Sequence, residues 1–158
     1  MKNKGAIIML VLLAGAAIVA TVVTIKNTLQ HLTYSFQNFS IDWTSTWSAI
    51  QSGSGKLYGS FQIALHNAEN STLTVQSMLF NIFYQNQQLA QVSDDNAFTI
   101  APKQTTVVPI DFTINLSGVP SVVASLLKKK TTAFNITGNI ETSGFNVPIP
   151  KQVFKIGN

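Results

Sequence analysis

Residues 105–116, TTVVPIDFTINL, place Thr106, Val108, Ile110, Phe112, Ile114 and Leu116 on one parity and Thr105, Val107, Pro109, Asp111, Thr113 and Asn115 on the other. A period of two with one apolar parity specifies a β-strand that buries one face. A slip of one residue would turn that face to water, so the pattern also fixes the register. The same alternation spreads outward from this strand. Leu57, Gly59, Phe61, Ile63 and Leu65 predict a strand ending in the turn-rich residues 66–71, HNAENS. Leu73 and Val75 are followed by Met78, Phe80, Ile82 and Tyr84 on the opposite parity, as a β-bulge requires. Tyr34 and Phe36 give way to Phe39, Ile41 and Trp43 in the same manner, which puts a second bulge near Gln37-Asn38.

The remaining strands follow from shorter runs. Asn86-Gln87 is read as the turn into residues 89–92. Phe98 and Ile100, then Phe134, Ile136, Gly138 and Ile140, then Val147, Ile149 and residues 153–156 complete about seven antiparallel strands. One short helix is predicted over 120–129. Pro120 suits its first turn, Val122, Val123, Leu126 and Leu127 share a face, and Lys128-Lys129-Lys130 meet the negative end of its dipole. The expected fold class is all-β, an antiparallel β-sandwich with one short helix.

Ahead of the strands, residues 5–25, GAIIMLVLLAGAAIVATVVTI, carry no charge and lie between Lys2 and Lys4 on one side and Lys26 on the other. As a helix they reach about 31 Å, which matches a hydrocarbon thickness of ~30 Å. The expectation is a single transmembrane helix whose length runs through Gly5, Ile8, Leu12, Gly15, Val19, Val23 and Ile25. Ala14, Ala17, Thr21 and Thr24 would give it a narrow stripe for close helix approach, with lipid-facing alanines as the plainer reading. Ala14-Gly15-Ala16 also has the small-x-small form of a signal-peptide cleavage site. Cutting there would leave the apolar residues 17–23 as a new N-terminus, so an uncleaved anchor is expected. The lysine balance favours a C-terminal domain outside the cytoplasm. The chain then divides into a flank (1–4), the transmembrane helix (5–25), a membrane-proximal segment with the first strand (26–56) and the sandwich proper (57–158).

Charged residues are 10% of the 158, against roughly 25% in an average globular protein. Water-facing positions are therefore filled by Asn, Gln, Ser and Thr, a surface that suits a crowded assembly and equally a secreted β-domain. The chain has no arginine, and residues 27–158 hold seven lysines against six acids, which speaks against nucleic-acid binding. Without cysteine there is no disulfide, thiolate zinc site, thiol nucleophile or lipid-modified cysteine. His31 and His66 with six acids are the whole acid–base inventory, and no nucleophile-elbow pattern accompanies them, so no catalytic residues and no cofactor are expected. Asp94-Asp95-Asn96 lacks the alternating acids and terminal Glu of a calcium loop, so no metal is expected there. Asn38, Asn70, Asn115 and Asn135 begin Asn-x-Ser/Thr triplets of the kind such a composition produces by chance. Trp43 and Trp47 fit a headgroup-level aromatic belt or core packing, and packing is the expectation.

Taken in order, FQIALHNAENSTLTV (61–75), NIFYQNQQLAQV (81–92), FTIAPKQTTVVPIDFTI (98–114), VVASLL (122–127) and FNITGNIETSGFNVPIP (134–150) resemble the LEA type 2 family (late embryogenesis abundant type 2, the water-stress and hypersensitive-response domain). The resemblance spans about residues 57–157. Where the family often has Asn-Pro-Asn this chain has Asn67-Ala68-Glu69-Asn70, and where the family hairpin has Asn-Gly it has Asn86-Gln87. The resemblance implies a sandwich displayed behind one membrane helix, with a binding or structural role, no catalysis and no named ligand. The resulting expectation is a membrane-anchored structural or interaction protein. Its partners would be the lipid bilayer and neighbouring capsid or envelope proteins, as in a virion that links an internal membrane to a capsid. Two rivals remain: a lipid or apolar-ligand carrier, in which Phe61, Phe80 and Phe112 would line a cavity, and a stress-protective envelope protein, which only the resemblance suggests.

Overall fold

The alternating runs become strands in the computed structural model, which describes residues 7–13, 18–24, 31–128 and 131–156. In chain order the elements are β1 (Ile7–Leu13), β2 (Ile18–Thr24), β3 (Leu32–Ile41), α1 (Trp43–Gln51), β4 (Lys56–Asn67), β5 (Leu73–Tyr84), β6 (Gln87–Asp94), β7 (Phe98–Ile100), β8 (Thr105–Asn115), α2 (Pro120–Leu127), β9 (Thr132–Thr142) and β10 (Asn146–Ile156). They form two antiparallel sheets. The smaller has the order β3-β4-β8, and the larger β1-β2-β10-β9-β5-β6, with β7 also pairing β5.

The β4–β8 register is unbroken from Lys56 opposite Asn115 to His66 opposite Thr105. Ile110, Phe112, Ile114 and Leu116 are buried while every odd-numbered residue from 105 to 115 is exposed, as the alternation demands. The two expected bulges are present. Between Gln37 and Ser40 the β3–β4 register shifts, with Asn38 at φ 48°, so burial passes from Tyr34 and Phe36 to Phe39. Between Val75 and Ser77 the β5–β9 register shifts likewise. A further shift between Ile149 and Gln152 moves burial in β10 from Val147 and Ile149 to Phe154 and Ile156, leaving Val153 outward.

The core is a chain of aromatic rings that joins the sheets. Phe61 of the smaller sheet meets Phe80 of the larger edge to face at 5.2 Å, and Phe39 stacks on Phe154 at 4.2 Å between centroids. Phe36–Phe80 (6.2 Å) adds a third bridge. Such pairs add about 0.5–1.5 kcal/mol each to the burial of their area. The short helix α2 presents Val122 and Leu126 to this core.

Three expectations need correction. The segment after β3 is not more strand. Asp42 caps the N-terminus of α1, its Oδ1 accepting from the Ser45 N–H (3.0 Å) and its Oδ2 from the Ser45 hydroxyl (2.6 Å). Trp43 and Trp47, one turn apart, stack at 5.6 Å, and Gly53 in the left-handed region (φ 80°) follows the helix. The β5–β6 turn falls on Gln85-Asn86, one residue early, with Gln85 at φ 53°.

The third correction concerns residues 5–25. The structure has strands over Ile7–Leu13 and Ile18–Thr24, paired from Ile7 opposite Thr24 to Leu13 opposite Ile18, where a helix is expected. Lys155 of β10 stands opposite Val19. Ile8 and Leu12 therefore lie in β1 and Val19, Thr21, Val23 and Thr24 in β2, whereas Gly5, Ala14, Gly15, Ala17 and Ile25 lie outside the described residues. Among the described residues no helix is long and apolar enough to cross a membrane. The physical reason is that β-branched Ile and Val, which supply much of this run, favour strands, and periodicity alone does not separate a buried strand from a buried helix.

Candidate functional site

The interior offers no prepared binding surface at the positions a carrier would use. Phe61, Phe80 and Phe112 are buried and in contact with other rings, so they fill the space between the sheets. Three concave features among the described residues lie outside it. One open groove of about 350 Å³ crosses the outer face of the smaller sheet, lined by Ser40, Ser60, Asp111 and Thr113, with Asp42 and Tyr58 at its end. A second of about 580 Å³ runs along α1 past Thr44, Ser45 and Ser48 to the same Asp42 and Tyr58. A third of about 650 Å³ lies between the β5–β6 turn and residues 118–121.

Local hydrogen bonding fixes the meeting point of the first two grooves. The Asp42 N–H donates to the Tyr58 carbonyl (3.0 Å), and the Tyr58 N–H donates to the buried Thr46 hydroxyl (3.1 Å). Helix α1 and strand β4 are thereby tied at Tyr58. The Ser45 hydroxyl and N–H hold the Asp42 carboxyl below the usual carboxylate range. In the sheet groove the Ser40 and Ser60 hydroxyls bond each other (2.9 Å), and Asp111 is exposed.

The titratable groups singled out in the sequence are distributed over the fold. His31 pairs with Glu69 and lies 5.3 Å from the Phe145 ring. His66 Nδ1 contacts the Thr105 hydroxyl at 3.0 Å. Glu141 accepts from the Ser77 hydroxyl (3.1 Å). Asp94 accepts from the Asn96 N–H (3.1 Å) and amide (2.8 Å), closing the acidic stretch into an exposed turn. Among the described residues no three His, Asp or Glu side chains converge on a point where a metal could sit. Trp43 and Trp47 are half-buried against the core, at the end of β3 remote from Leu32. Of the four triplet asparagines, Asn38 and Asn70 are exposed, Asn115 accepts from the Ser117 N–H (3.0 Å) and hydroxyl (2.7 Å), and Asn135 lies on β9 opposite Val153.

The grooves were not legible in the sequence, because an alternating pattern assigns Ser40, Tyr58, Ser60, Asp111 and Thr113 to solvent without placing them together. The usable signal was Asp42 followed three residues later by Ser45, a helix-cap spacing. The interior also holds two buried hydroxyls without a partner among the described residues, on Tyr34 and Thr132. Burial pushes the Tyr34 phenol up to about 12.

Two antiparallel sheets closed on an aromatic core, with shallow polar grooves outside, define an all-β sandwich. The chain belongs to the late embryogenesis abundant (LEA type 2) family, whose model matches residues 62–153, more than half of the chain. No curated protein matches it. Two solved structures of the three below share the fold, at TM-scores of 0.50 or more and low identity. The structural-genomics target SoR45 has a TM-score of 0.51 at 13% identity, over 82% of this chain and 88% of that one. A protein from Bordetella pertussis has a TM-score of 0.50 at 13% identity, over 77% and 90%. A protein from Archaeoglobus fulgidus gives 0.46 at 13% identity, over 81% and 94%.

Proposed function

We propose that the protein is a non-enzymatic interaction module tethered to a membrane, which acts through the exterior of its sandwich. The observation that carries this reading is the filled core: with Phe36, Phe39 and Phe80 each in ring contact with Phe61 between the sheets, the exterior is left to act. The tether is supported by residues 5–25. Both parities of IIMLVLL and IVATVVT are apolar or nearly so, so a hairpin of them on the end of the larger sheet would leave an apolar outer face and a free apolar edge at β1 to water. A bilayer removes both penalties if the segment becomes a helix, which satisfies its backbone internally. Lys2 and Lys4 ahead of it and Lys26 after it bracket one crossing and leave the sandwich on the non-cytoplasmic side. The partners on this reading are the bilayer and neighbouring proteins of an assembly, and a virion with an internal membrane is one setting with that layout.

Full-length protein expressed with its native N-terminus tests both halves. Intact mass should show residues 1–30 retained, and the protein should stay with membranes through carbonate extraction. Native mass spectrometry of the released protein should show no stoichiometric lipid. A mature chain beginning at Ala17 or later would remove the tether, and a bound lipid displaced by Ile63→Trp would replace the interaction module with a carrier.

A further inference from the structure

The two grooves that meet at Tyr58 make one continuous surface, since Asp42 and Tyr58 line both. The sheet side offers hydroxyls of Ser40, Ser60 and Thr113, and the helix side those of Thr44, Ser45 and Ser48. Two carboxylates, Asp42 and Asp111, line the surface with the ring, and neither groove is lined by a lysine or a histidine. Both grooves are open, of about 350 and 580 Å³, so a ligand there would lie along the surface and stay partly in water. Tyr58 stands on a rigid base, because both its backbone N–H and its carbonyl are bonded across to α1 and the residue capping it. A preorganised aromatic loses little freedom when a ligand settles on it.

Electrostatics and hydrogen-bond accounting narrow the ligand. An anionic ligand would meet two carboxylates and no cation, a repulsive arrangement that selects against it. An apolar ligand would cover hydroxyls and carboxylates without pairing them, at about 1–3 kcal/mol for each buried group. A cationic peptide is favoured by the carboxylates alone, but Asp42 already accepts two hydrogen bonds from Ser45, and hydroxyls outnumber the carboxylates along the groove. A neutral polyol fits the groups left over: its hydroxyls would donate to Asp111 and exchange donors and acceptors with the serines and threonines, and its C–H face would lie on the Tyr58 ring. We infer that this groove is a carbohydrate-binding site for a neutral oligosaccharide, with Tyr58 as the platform and Asp111 as the principal hydroxyl acceptor. The inference rests on the reading that the protein works through its exterior, and it identifies what one part of that exterior takes.

The test is calorimetric titration of the full-length protein in phospholipid nanodiscs, or in solution if it proves not to insert. The probes are cellohexaose, maltohexaose and chitohexaose, with hexagalacturonate and hexalysine as charged comparators. At least one neutral hexasaccharide should bind saturably. Tyr58→Ala should weaken that binding by about tenfold or more, Tyr58→Phe by no more than about threefold, and Asp111→Asn by about three- to tenfold. Asp42 is left intact because it caps α1. Thermal melting of each variant checks the fold, and because Asp111 and Thr113 are exposed, Asp111→Asn and Thr113→Ala carry the test if Tyr58→Ala unfolds. No binding by any neutral sugar at millimolar concentration, preferential binding of hexagalacturonate or hexalysine, or undiminished binding in the groove variants would each overturn the site. The tether is decided separately by membrane extraction, so the two readings fail independently.

Discussion

Tyr34 is buried on β3, and its hydroxyl has no hydrogen-bond partner among the described residues. Tyr34→Phe removes that group without changing the shape of the core. Stability should stay level or rise by about 1 kcal/mol in urea denaturation at pH 7; a loss larger than that would reveal a partner for the hydroxyl. The same residue sets an alkaline limit. Its folded value is raised from 10.0 to about 12, so below pH 10 both folded and unfolded chains keep the proton and stability is intact. Between pH 10 and pH 12 the unfolded chain releases its proton while the fold retains it, and stability falls by on the order of 2 kcal/mol. The difference between wild type and Tyr34→Phe, measured at pH 9 and pH 11.5, should isolate that slope from the lysines that titrate nearby. None of this was legible in the sequence, where Tyr34 reads only as an inward aromatic; the lack of a partner depends on what the other sheet brings to it.

At the level of elements, the legible features were those that one strand writes by itself. The parity switch from Phe36 to Phe39 records a bulge, and so does the one from Val75 to Met78, because a bulge inserts one extra residue and every side chain beyond it changes face. Helix α1 was hidden because Phe39, Ile41 and Trp43 keep a common parity, and its Thr- and Ser-rich sequence has weak helix propensity, leaving the Asp42 cap and tertiary packing to decide. The register of β8 gives a paired test. Phe112→Asp would bury a carboxylate among Phe39 and Phe61 and should cost several kcal/mol, enough to threaten a domain of ~5–15 kcal/mol. Asn115→Asp keeps the acceptor that Ser117 uses and faces Lys56 across the strand pair, so it should cost little. Equal losses would show the register to be wrong. Gly138 marks a closer approach between strands: a Cβ there would lie 2.4 Å from the Leu79 carbonyl oxygen and 3.1 Å from Phe80 Cδ1, whereas one at Gly144 would meet nothing within 4 Å. Gly138→Ala should therefore lose about 1–3 kcal/mol or more, and Gly144→Ala should melt close to wild type.

For the whole molecule, the direction of β3 determines which end of the sandwich faces a bilayer. The strand begins at Leu32, opposite Asn67, and ends at Ile41, opposite Gly59, so its ten residues carry the chain about 33 Å from the end where an anchor would join. Helix α1 starts at that far end, and with it Trp43 and Trp47, the two tryptophans of the chain. If residues 5–25 span the membrane and β3 stands away from it, the aromatic-belt reading of these tryptophans fails on distance alone. Their place in the structure, stacked on each other and packed against the core, accounts for them without lipid. Full-length protein reconstituted into vesicles containing brominated phospholipids should then keep its tryptophan emission. With both native tryptophans replaced by phenylalanine, His31→Trp should be strongly quenched, because His31 directly precedes β3 at the anchor end. Quenching of native Trp43 and Trp47 equal to that of the His31→Trp probe would mean that the sandwich lies flat on the bilayer, and the grooves around α1 would then face lipid headgroups instead of the space beyond the membrane.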